Sequence, residues 1–153
     1  MQICKLQTGQ LRAAVELIKE VFDLSLAEDY GEQGTKTFYH FIQIEHVEKM
    51  VQNGELKFWG SFEGNRLTGV IALRGKQHIS LLFVKSEYRR KGVAGKLVAV
   101  VKAVCREINL EKRVITVNAS PYAVEAYKHM GFVSLSEEQK KDGIRYTPML
   151  CHL

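Results

Sequence analysis

The first third of the chain combines a short apolar stretch with two segments of helical periodicity. Residues 1–6 predict a short strand. Apolar residues then recur every three or four positions from Leu11 to Phe22, which predicts a helix with Thr8 as its N-cap. The polar and acidic segment from Ala27 to Thr35 predicts a loop or a short helix. Helical spacing returns from Phe38 to Val51 and predicts a second helix.

The middle of the chain changes to the pattern of strands. Residues 56–62 and 66–73 predict two strands, with Gly64-Asn65 between them at hairpin spacing. Residues 78–84 are apolar at nearly every position. Such a strand belongs in the centre of a sheet that is covered on both faces, because polar residues do not alternate along it.

The last third alternates helices with short strands. Its predicted elements are, in order, a helix from Gly92 to Ile108, a strand from Val114 to Val117, a helix opened by Ser120-Pro121 and closed by Gly131, and strands at 132–136 and 144–150 around a charged loop from Glu137 to Gly143. The complete order, β-α-α-β-β-β-α-β-α-β-β, predicts an α/β fold whose mixed sheet is antiparallel early and contains a β-α-β unit later. We expect one domain over residues 1–153.

Composition places the chain among globular proteins. Of 153 residues, 46% are hydrophobic and 25% are charged, and no apolar stretch approaches the roughly 20 residues of a membrane span. The N-terminal segment lacks a secretory signal pattern, and Cys4, Cys105 and Cys151 are far apart. We therefore expect a cytoplasmic protein with reduced thiols, no membrane partner, and no zinc or redox site.

The net charge of +5 permits an anionic partner, and the position of the basic residues in the sequence indicates which kind of anion it is. The densest basic run, Lys85 to Lys96, directly follows the apolar strand and opens the next helix. Free N–H groups at a helix start bind phosphate, and Gly92 and Gly95 allow a ligand to approach the backbone closely. Because the charge concentrates at one turn, we expect no nucleic-acid partner. An ordinary turn with a solvated basic face is the alternative.

Two motifs make this turn more specific. The first, [QR]-x-x-G-x-[GA], directly follows the central strand, and the second, N-x-x-A-x-x-x-Y-x-x-x-G-F, covers the last helix. Their fixed positions are occupied by Arg89, Gly92 and Ala94, and by Ala123, Tyr127, Gly131 and Phe132. On these motifs and their order, the chain resembles the GNAT superfamily of N-acetyltransferases, specifically its small bacterial single-domain type. The resemblance implies a GNAT-like fold, with a central mixed sheet of about six to seven strands flanked by helices.

The resemblance also implies a site for acetyl-CoA as co-substrate. The turn from Arg89 to Lys96 would hold the pyrophosphate, and the pantetheine arm would pair with the central strand where that strand splays from its parallel neighbour. A free N–H near Phe83 or Val84 would polarise the thioester carbonyl. The expected cofactor contacts are Leu82, Phe83, Val84, Arg89, Arg90, Lys91, Gly92, Val93, Ala94, Gly95, Lys96, Ser120 and Tyr127.

Two side chains acquire catalytic roles from the resemblance. Tyr127 matches the tyrosine that protonates the departing CoA thiolate, and its ordinary pKa of about 10 suits a proton donor. His78 stands where some members carry a glutamate base, and a histidine there would take a proton from the amine. An inert histidine, with a water chain as the base, is the alternative. Ser120 stands where the family usually has Asn, which changes one cofactor contact.

The acceptor is less well defined. Glu28, Asp29 and Glu32 fall in a region that lines the acceptor side in this family, and such carboxylates would suit a cationic amine; a solvated acidic loop is the alternative. The five histidines are scattered, so no metal is expected. The hypothesis is an acetyl-CoA-dependent N-acetyltransferase that acts on a primary amine of a small molecule, peptide or protein, or else a non-catalytic acyl-CoA-binding module or sensor. Edge strands near the C-terminus would permit a homodimer.

Overall fold

A mixed β-sheet forms the centre of the molecule. The computed structural model describes residues 1–153. The strands are β1 (Gln2–Lys5), β2 (Leu56–Glu63), β3 (Arg66–Arg74), β4 (His78–Val84), β5 (Val114–Ala119), β6 (Val133–Ser134), β7 (Gln139–Lys141) and β8 (Ile144–His152). They follow the order β1-β2-β3-β4-β5-β8-β6, and β7 pairs with β8 alone. Only β4 and β5 are parallel neighbours, so the predicted mixed sheet is confirmed.

Helices cover both faces of this sheet. They are α1 (Leu11–Ser25), α2 (Ala27–Phe41), α3 (Ile44–Gln52), α4 (Val93–Arg106) and α5 (Val124–His129). Helices α1 to α3 form one apolar core with Leu81 and Phe83, whereas α4 and α5 form a second core with Ile79. Strand β4 thus contributes to both cores, which explains its nearly continuous apolar sequence. None of the helices has the length and apolar character that crossing a bilayer requires.

Strands β4 and β5 are paired over only a short stretch and then diverge. They pair only at His78 with Thr116 and at Ile79 with Val117. Beyond these two pairs β4 stays antiparallel to β3, with a bulge at Ser80. A gap therefore opens between the carboxyl halves of β4 and β5, where the resemblance predicts a splayed central strand.

The segment between α1 and β2 forms two helices whose bounds differ from the predicted ones. The segment from Ala27 to Thr35, predicted as a loop or a short helix, is the first part of the longer helix α2, which has a kink at Gly31. The prediction of one helix over residues 38–51 is wrong because Gln43 is extended and separates α2 from α3. Only two residues of α2 are buried, so its sequence shows no apolar stripe from which to predict it.

Two further local predictions are wrong. Thr8 is not an N-cap but part of a 3-10 turn, in which the N–H of Gln7 donates to Oε1 of Gln10 at 2.7 Å. The charged loop predicted from Glu137 to Gly143 contains strand β7, which forms a hairpin with β8. All three residues of β7 are exposed, so backbone pairing stabilises the strand without any apolar alternation.

The last helix begins later than its sequence predicts. Ser120-Pro121 does not open it, because α5 starts at Val124. The Ser120 carbonyl instead accepts a hydrogen bond from the Ala123 N–H at 2.9 Å, in a turn that precedes the helix. Gly131 is confirmed as the left-handed residue that closes the helix, with φ of 95°.

Candidate functional site

The gap between β4 and β5 leads into three adjoining cavities. A cavity of about 420 Å³, named here the α2 cavity, lies between α2 and strands β3, β4 and β8. A cavity of about 90 Å³, the neck, lies within the gap. A cavity of about 480 Å³, the groove, lies among the end of α1, β4 and α5. Ser120 lines all three, so the neck connects the α2 cavity with the groove.

The turn after β4 presents a row of free backbone donors. Arg90 and Gly92 have positive φ, 61° and 77°, and α4 begins directly afterwards. The N–H groups of residues 90–95 donate no backbone hydrogen bond, whereas that of Lys96 donates to the Gly92 carbonyl at 3.1 Å. Consecutive free amides at a helix N-terminus form a site for an anion such as phosphate.

Basic side chains surround these amides. Arg89 lines the groove and donates from Nη2 to Ser25 Oγ at 2.6 Å, which links the turn to the end of α1. A Cβ added to Gly95 would have no neighbour within 4 Å, so the space above the turn is open to a ligand. The other cations of the turn, all exposed, are Arg90, Lys91 and Lys96.

The direction of the β4 amides decides which of them face the gap. The Lys85 N–H donates to the Thr68 carbonyl of β3 at 2.9 Å. Amides alternate sides along a strand, so that of Phe83 points to β3, whereas those of Leu82 and Val84 point into the gap. The sequence analysis named the amides of Phe83 and Val84 as candidates to bind the thioester carbonyl. Of these two only the Val84 amide is free for a ligand, and the Leu82 amide is a second free donor on the same side of the strand.

Tyr127 lies where the neck meets the groove. Its side chain lines both cavities, is 4% exposed and packs edge-on against Phe132 at 5.2 Å between ring centroids. Burial raises the pKa of the Tyr127 hydroxyl above its ordinary value, so the group keeps its proton at neutral pH. A protonated hydroxyl at this junction can donate a hydrogen bond or a proton to a ligand in the groove.

The α2 cavity, the neck and the groove form one passage, and His78 lines the α2 cavity, at the opposite end from the groove. Its Nδ1 lies 2.8 Å from Thr116 Oγ1, which leaves Nε2 as the free ring nitrogen. Burial lowers the pKa of His78, and the positive charge of Arg74 lowers it further. The imidazole is therefore neutral at pH 7 and can accept a proton. No single cavity is lined by both His78 and Tyr127.

Comparison of the sequence with known protein families identifies the family of this chain. Residues 26–153 match the family described as an acetyltransferase (GNAT) domain. The chain belongs to the GNAT acetyltransferase family. Membership supports acyltransferase activity and acetyl-CoA binding at the level of the family. No curated protein matches the sequence significantly.

Solved GNAT structures share the fold over nearly the whole chain. A GCN5-related N-acetyltransferase from Rhodopseudomonas palustris has 18% identity and a TM-score of 0.82, covering 99% of this chain and 95% of that one. PaiA N-acetyltransferase from Thermoplasma acidophilum, in complex with coenzyme A, has 18% identity and a TM-score of 0.81, covering 99% and 98%. A variant of spermidine N-acetyltransferase SpeG from Vibrio cholerae has 14% identity and a TM-score of 0.69, covering 99% and 95%. At these identities the likeness concerns the fold.

Ser120 replaces the usual asparagine of the GNAT motif, and a nearby amide side chain lies in the same passage. Asn118 lines the α2 cavity and the neck. Asn118 lies on β5, and Ser120 directly follows the strand two residues later, so the strand alternation directs both side chains to the same face of the sheet. Sequence reasoning missed Asn118; its polar side chain near the end of an apolar strand is the available clue.

The acidic residues that the GNAT resemblance assigns to the acceptor lie elsewhere. Glu28, Asp29 and Glu32 are exposed on the first turns of α2, and none lines the three cavities. Asp29 instead interacts with Tyr122 in the loop before α5, where its carboxylate raises the pKa of the Tyr122 hydroxyl. An acceptor site built from these carboxylates stays a prediction.

The wall of the α2 cavity comes from two segments that are remote in sequence. Thr37 of α2 donates from Oγ1 to the Asp142 carbonyl at 2.9 Å, across a separation of 105 residues. This contact places the β7–β8 hairpin beside α2, so that Lys141, Asp142 and Arg145 all line the cavity. Sequence reasoning missed this wall, because it treated residues 137–143 as a loop unrelated to α2.

Proposed function

We propose that this chain is an acetyl-CoA-dependent N-acetyltransferase that acts on a primary amine by direct attack in a ternary complex. The observation that carries the proposal is the passage formed by the α2 cavity, the neck and the groove. It has room for a donor at one end and for an acceptor at the other. We further propose that residues 1–153 form one domain that contains both sites.

The donor would lie in the groove. The pyrophosphate would accept hydrogen bonds from the free amides of residues 90–95, with Arg89, Arg90, Lys91 and Lys96 adding positive charge. The pantetheine arm would run along β4 and pair with the Val84 amide. The Leu82 amide, closer to the neck, would donate to the thioester carbonyl and stabilise the negative charge that develops on its oxygen.

Transfer would take place at the neck. The neutral amine attacks the thioester carbon, a C–N bond forms, and the C–S bond breaks. His78 Nε2 accepts the amine proton, directly or through water, because its lowered pKa keeps the ring neutral. Tyr127 supplies a proton to the departing sulfur. Holding both reactants in one passage provides the proximity on which the reaction depends.

Calorimetric titration with acetyl-CoA tests the donor site. Gly95→Glu introduces a carboxylate beside the free amides, while Gly9→Glu is a matched control, since a Cβ at either glycine would have no neighbour within 4 Å. We expect one acetyl-CoA per chain for wild type and Gly9→Glu, and at least about 10-fold weaker binding for Gly95→Glu, because the new charge repels phosphate.

Thiol release with a panel of amines tests the transfer. Amine-dependent release of CoA would support the proposed enzyme. Binding of acetyl-CoA without transfer to any amine would support the non-catalytic acyl-CoA-binding module instead. A folded wild-type protein that does not bind acetyl-CoA would overturn both functions.

A further inference from the structure

Arg74 is a cation of the α2 cavity that has no carboxylate partner. It ends β3, forms no ion pair, and its guanidinium lies 5.7 Å from the ring centroid of Phe41. Contact with an aromatic face holds a guanidinium in place without using its N–H donors. Those donors therefore remain available to a ligand in the cavity.

The other charged residues of the cavity are already compensated. Arg145 binds Glu138 through two hydrogen bonds of 2.9 and 3.2 Å. Lys141 and Asp142 carry opposite charges that cancel in the sum over the cavity, although no ion pair joins them. Asp142 is the only carboxylate among the residues that line the cavity. The cavity therefore presents an excess of positive charge, and that excess belongs to Arg74.

Arg74 is also the neighbour of His78 across the sheet. The two residues are paired in the antiparallel register of β3 and β4. Side chains of paired residues lie on the same face with Cβ atoms about 5 Å apart. An amine whose nitrogen approaches His78 from the α2 cavity would thus place its other substituents within reach of the Arg74 guanidinium.

Given the N-acetyltransferase function proposed above, we infer that the acceptor is a small amine that also carries a carboxylate or phosphate group, and that Arg74 binds this group. A guanidinium matches both anions through paired N–H donors. The remaining lining, which includes Tyr30, Phe38 and Tyr146, suits an apolar or aromatic substituent. A polyamine, by contrast, would meet an uncompensated like charge.

Matched pairs of amines isolate the contribution of the anionic group. The pairs are tyrosine with tyramine, lysine with cadaverine, and phosphoethanolamine with ethanolamine; the third distinguishes phosphate from carboxylate. The value of kcat/KM is measured by thiol release at pH 8 for wild type, Arg74→Ala and Arg74→Lys. Arg12→Ala is the control, because Arg12 is exposed on α1, forms no ion pair and lines none of the three cavities.

We expect the acid-bearing member of at least one pair to be preferred by about 10- to 100-fold, the usual range for a charge-assisted hydrogen bond. Arg74→Ala should abolish the preference while changing kcat/KM little for the amine that lacks the acid group. Arg74→Lys should retain part of the preference, and Arg12→Ala all of it. Comparing ratios within a pair cancels any effect of Arg74 on His78. Transfer that is equal or better with tyramine, cadaverine or spermidine would overturn the inference and leave the N-acetyltransferase proposal intact.

A second measurement decides the case in which no amine is acetylated. N-acetyltyrosine and N-acetyltyramine are titrated into the protein saturated with CoA. Binding of N-acetyltyrosine alone, lost in Arg74→Ala, would support the anion site although the transfer proposal had failed. Equal binding of the two compounds, or binding of neither, would overturn the inference.

Discussion

The backbone of Gly34 in α2 lies directly against the backbone of Gly143 in the β7–β8 turn. A Cβ on Gly34 would lie 2.7 Å from the Gly143 carbonyl oxygen, closer than such atoms approach in proteins. Together with the hydrogen bond from Thr37 to Asp142, this contact joins the helix to the hairpin. The width of the α2 cavity therefore depends on two residues that have no side chain.

Gly34→Ala should separate α2 from the hairpin. We expect a loss of about 1–3 kcal/mol in the free energy of unfolding, typical of overpacking, and a higher KM for the acceptor with unchanged acetyl-CoA affinity. Denaturant unfolding and steady-state kinetics measure the two effects. Gly9→Ala is the control, because a Cβ at Gly9 has no neighbour within 4 Å. An unchanged acceptor KM in Gly34→Ala would contradict the role of this contact.

Tyr127→Phe should reduce kcat by about 100-fold or more, the lower end of the range for proton-transfer catalysis. The affinity for acetyl-CoA and the stability should change little, because the tyrosine hydroxyls that hydrogen-bond within the protein are those of Tyr39, Tyr88 and Tyr146. Removing the Tyr127 hydroxyl therefore leaves no protein group without its partner. Single-turnover kinetics and calorimetry separate these quantities. Tyr39→Phe, outside the three cavities, should keep full kcat. Full activity in Tyr127→Phe would remove Tyr127 from the mechanism.

NMR titration of the His78 ring should give a midpoint below 6.5, since burial and Arg74 both lower its pKa. Arg74→Ala should move the midpoint upward but keep it below 6.5, because burial is the larger cause. A midpoint at or above 6.5 in wild type would show that His78 is exposed or paired with an acid. The charged side chains that line the same cavity, and so enter this balance, are Arg74, Lys141, Asp142 and Arg145.

The lowered pKa of His78 also makes the free energy of unfolding depend on pH. The folded-state pKa of His78 is below its unfolded value, so the unfolded chain binds the proton first as pH falls. Wild type should therefore lose stability relative to His78→Gln as pH falls below about 6.5, and the difference should be constant above pH 7.5. Thermal unfolding between pH 5 and pH 8 measures it, and a difference that is independent of pH would contradict the assignment.

Thr116→Val should release the His78 ring from its hydrogen bond while preserving the shape of the side chain. We expect kcat to fall about 10-fold, in line with the loss of one orienting hydrogen bond, with acetyl-CoA affinity unchanged. Thr116→Ser retains the hydroxyl and should restore most of kcat. Equal kcat in the Val and Ser variants would mean that Thr116 does not position the base.

The parts of the molecule that could be predicted from sequence are those with a local cause. Strand β4 was recognisable because it contributes to both apolar cores, and the turn at Gly92 because its left-handed backbone and its motif are contained in a few residues. The full extent of helix α2 was not recognisable. Its inner face lines a cavity as well as a core, so Thr37 and Tyr30 stand where a fully packed helix would have aliphatic residues.

The candidate site divides in the same way. The motifs indicated Tyr127 and the turn from Arg89 to Lys96, and the structure shows Tyr127, Arg89 and Ala94 lining the groove. The resemblance indicated the region of α2 for the acceptor, but the side chains that line the cavity depend on contacts across more than 100 residues. Neither Arg74 nor Asp142 belongs to either of the two motifs, and only the tertiary arrangement brings them to one cavity.

The two residue pairs between β4 and β5 are the only ladder that joins the halves of the sheet, β1–β4 on one side and β5–β8 on the other. A seam this narrow is mechanically soft, because few backbone hydrogen bonds resist its opening. An extended ligand that bonds to the Leu82 and Val84 amides would stiffen the seam from within. Slow hydrogen exchange at those two amides would then appear only in the ligand-bound protein. The co-substrate would hold the two halves of the sheet together as well as take part in the reaction.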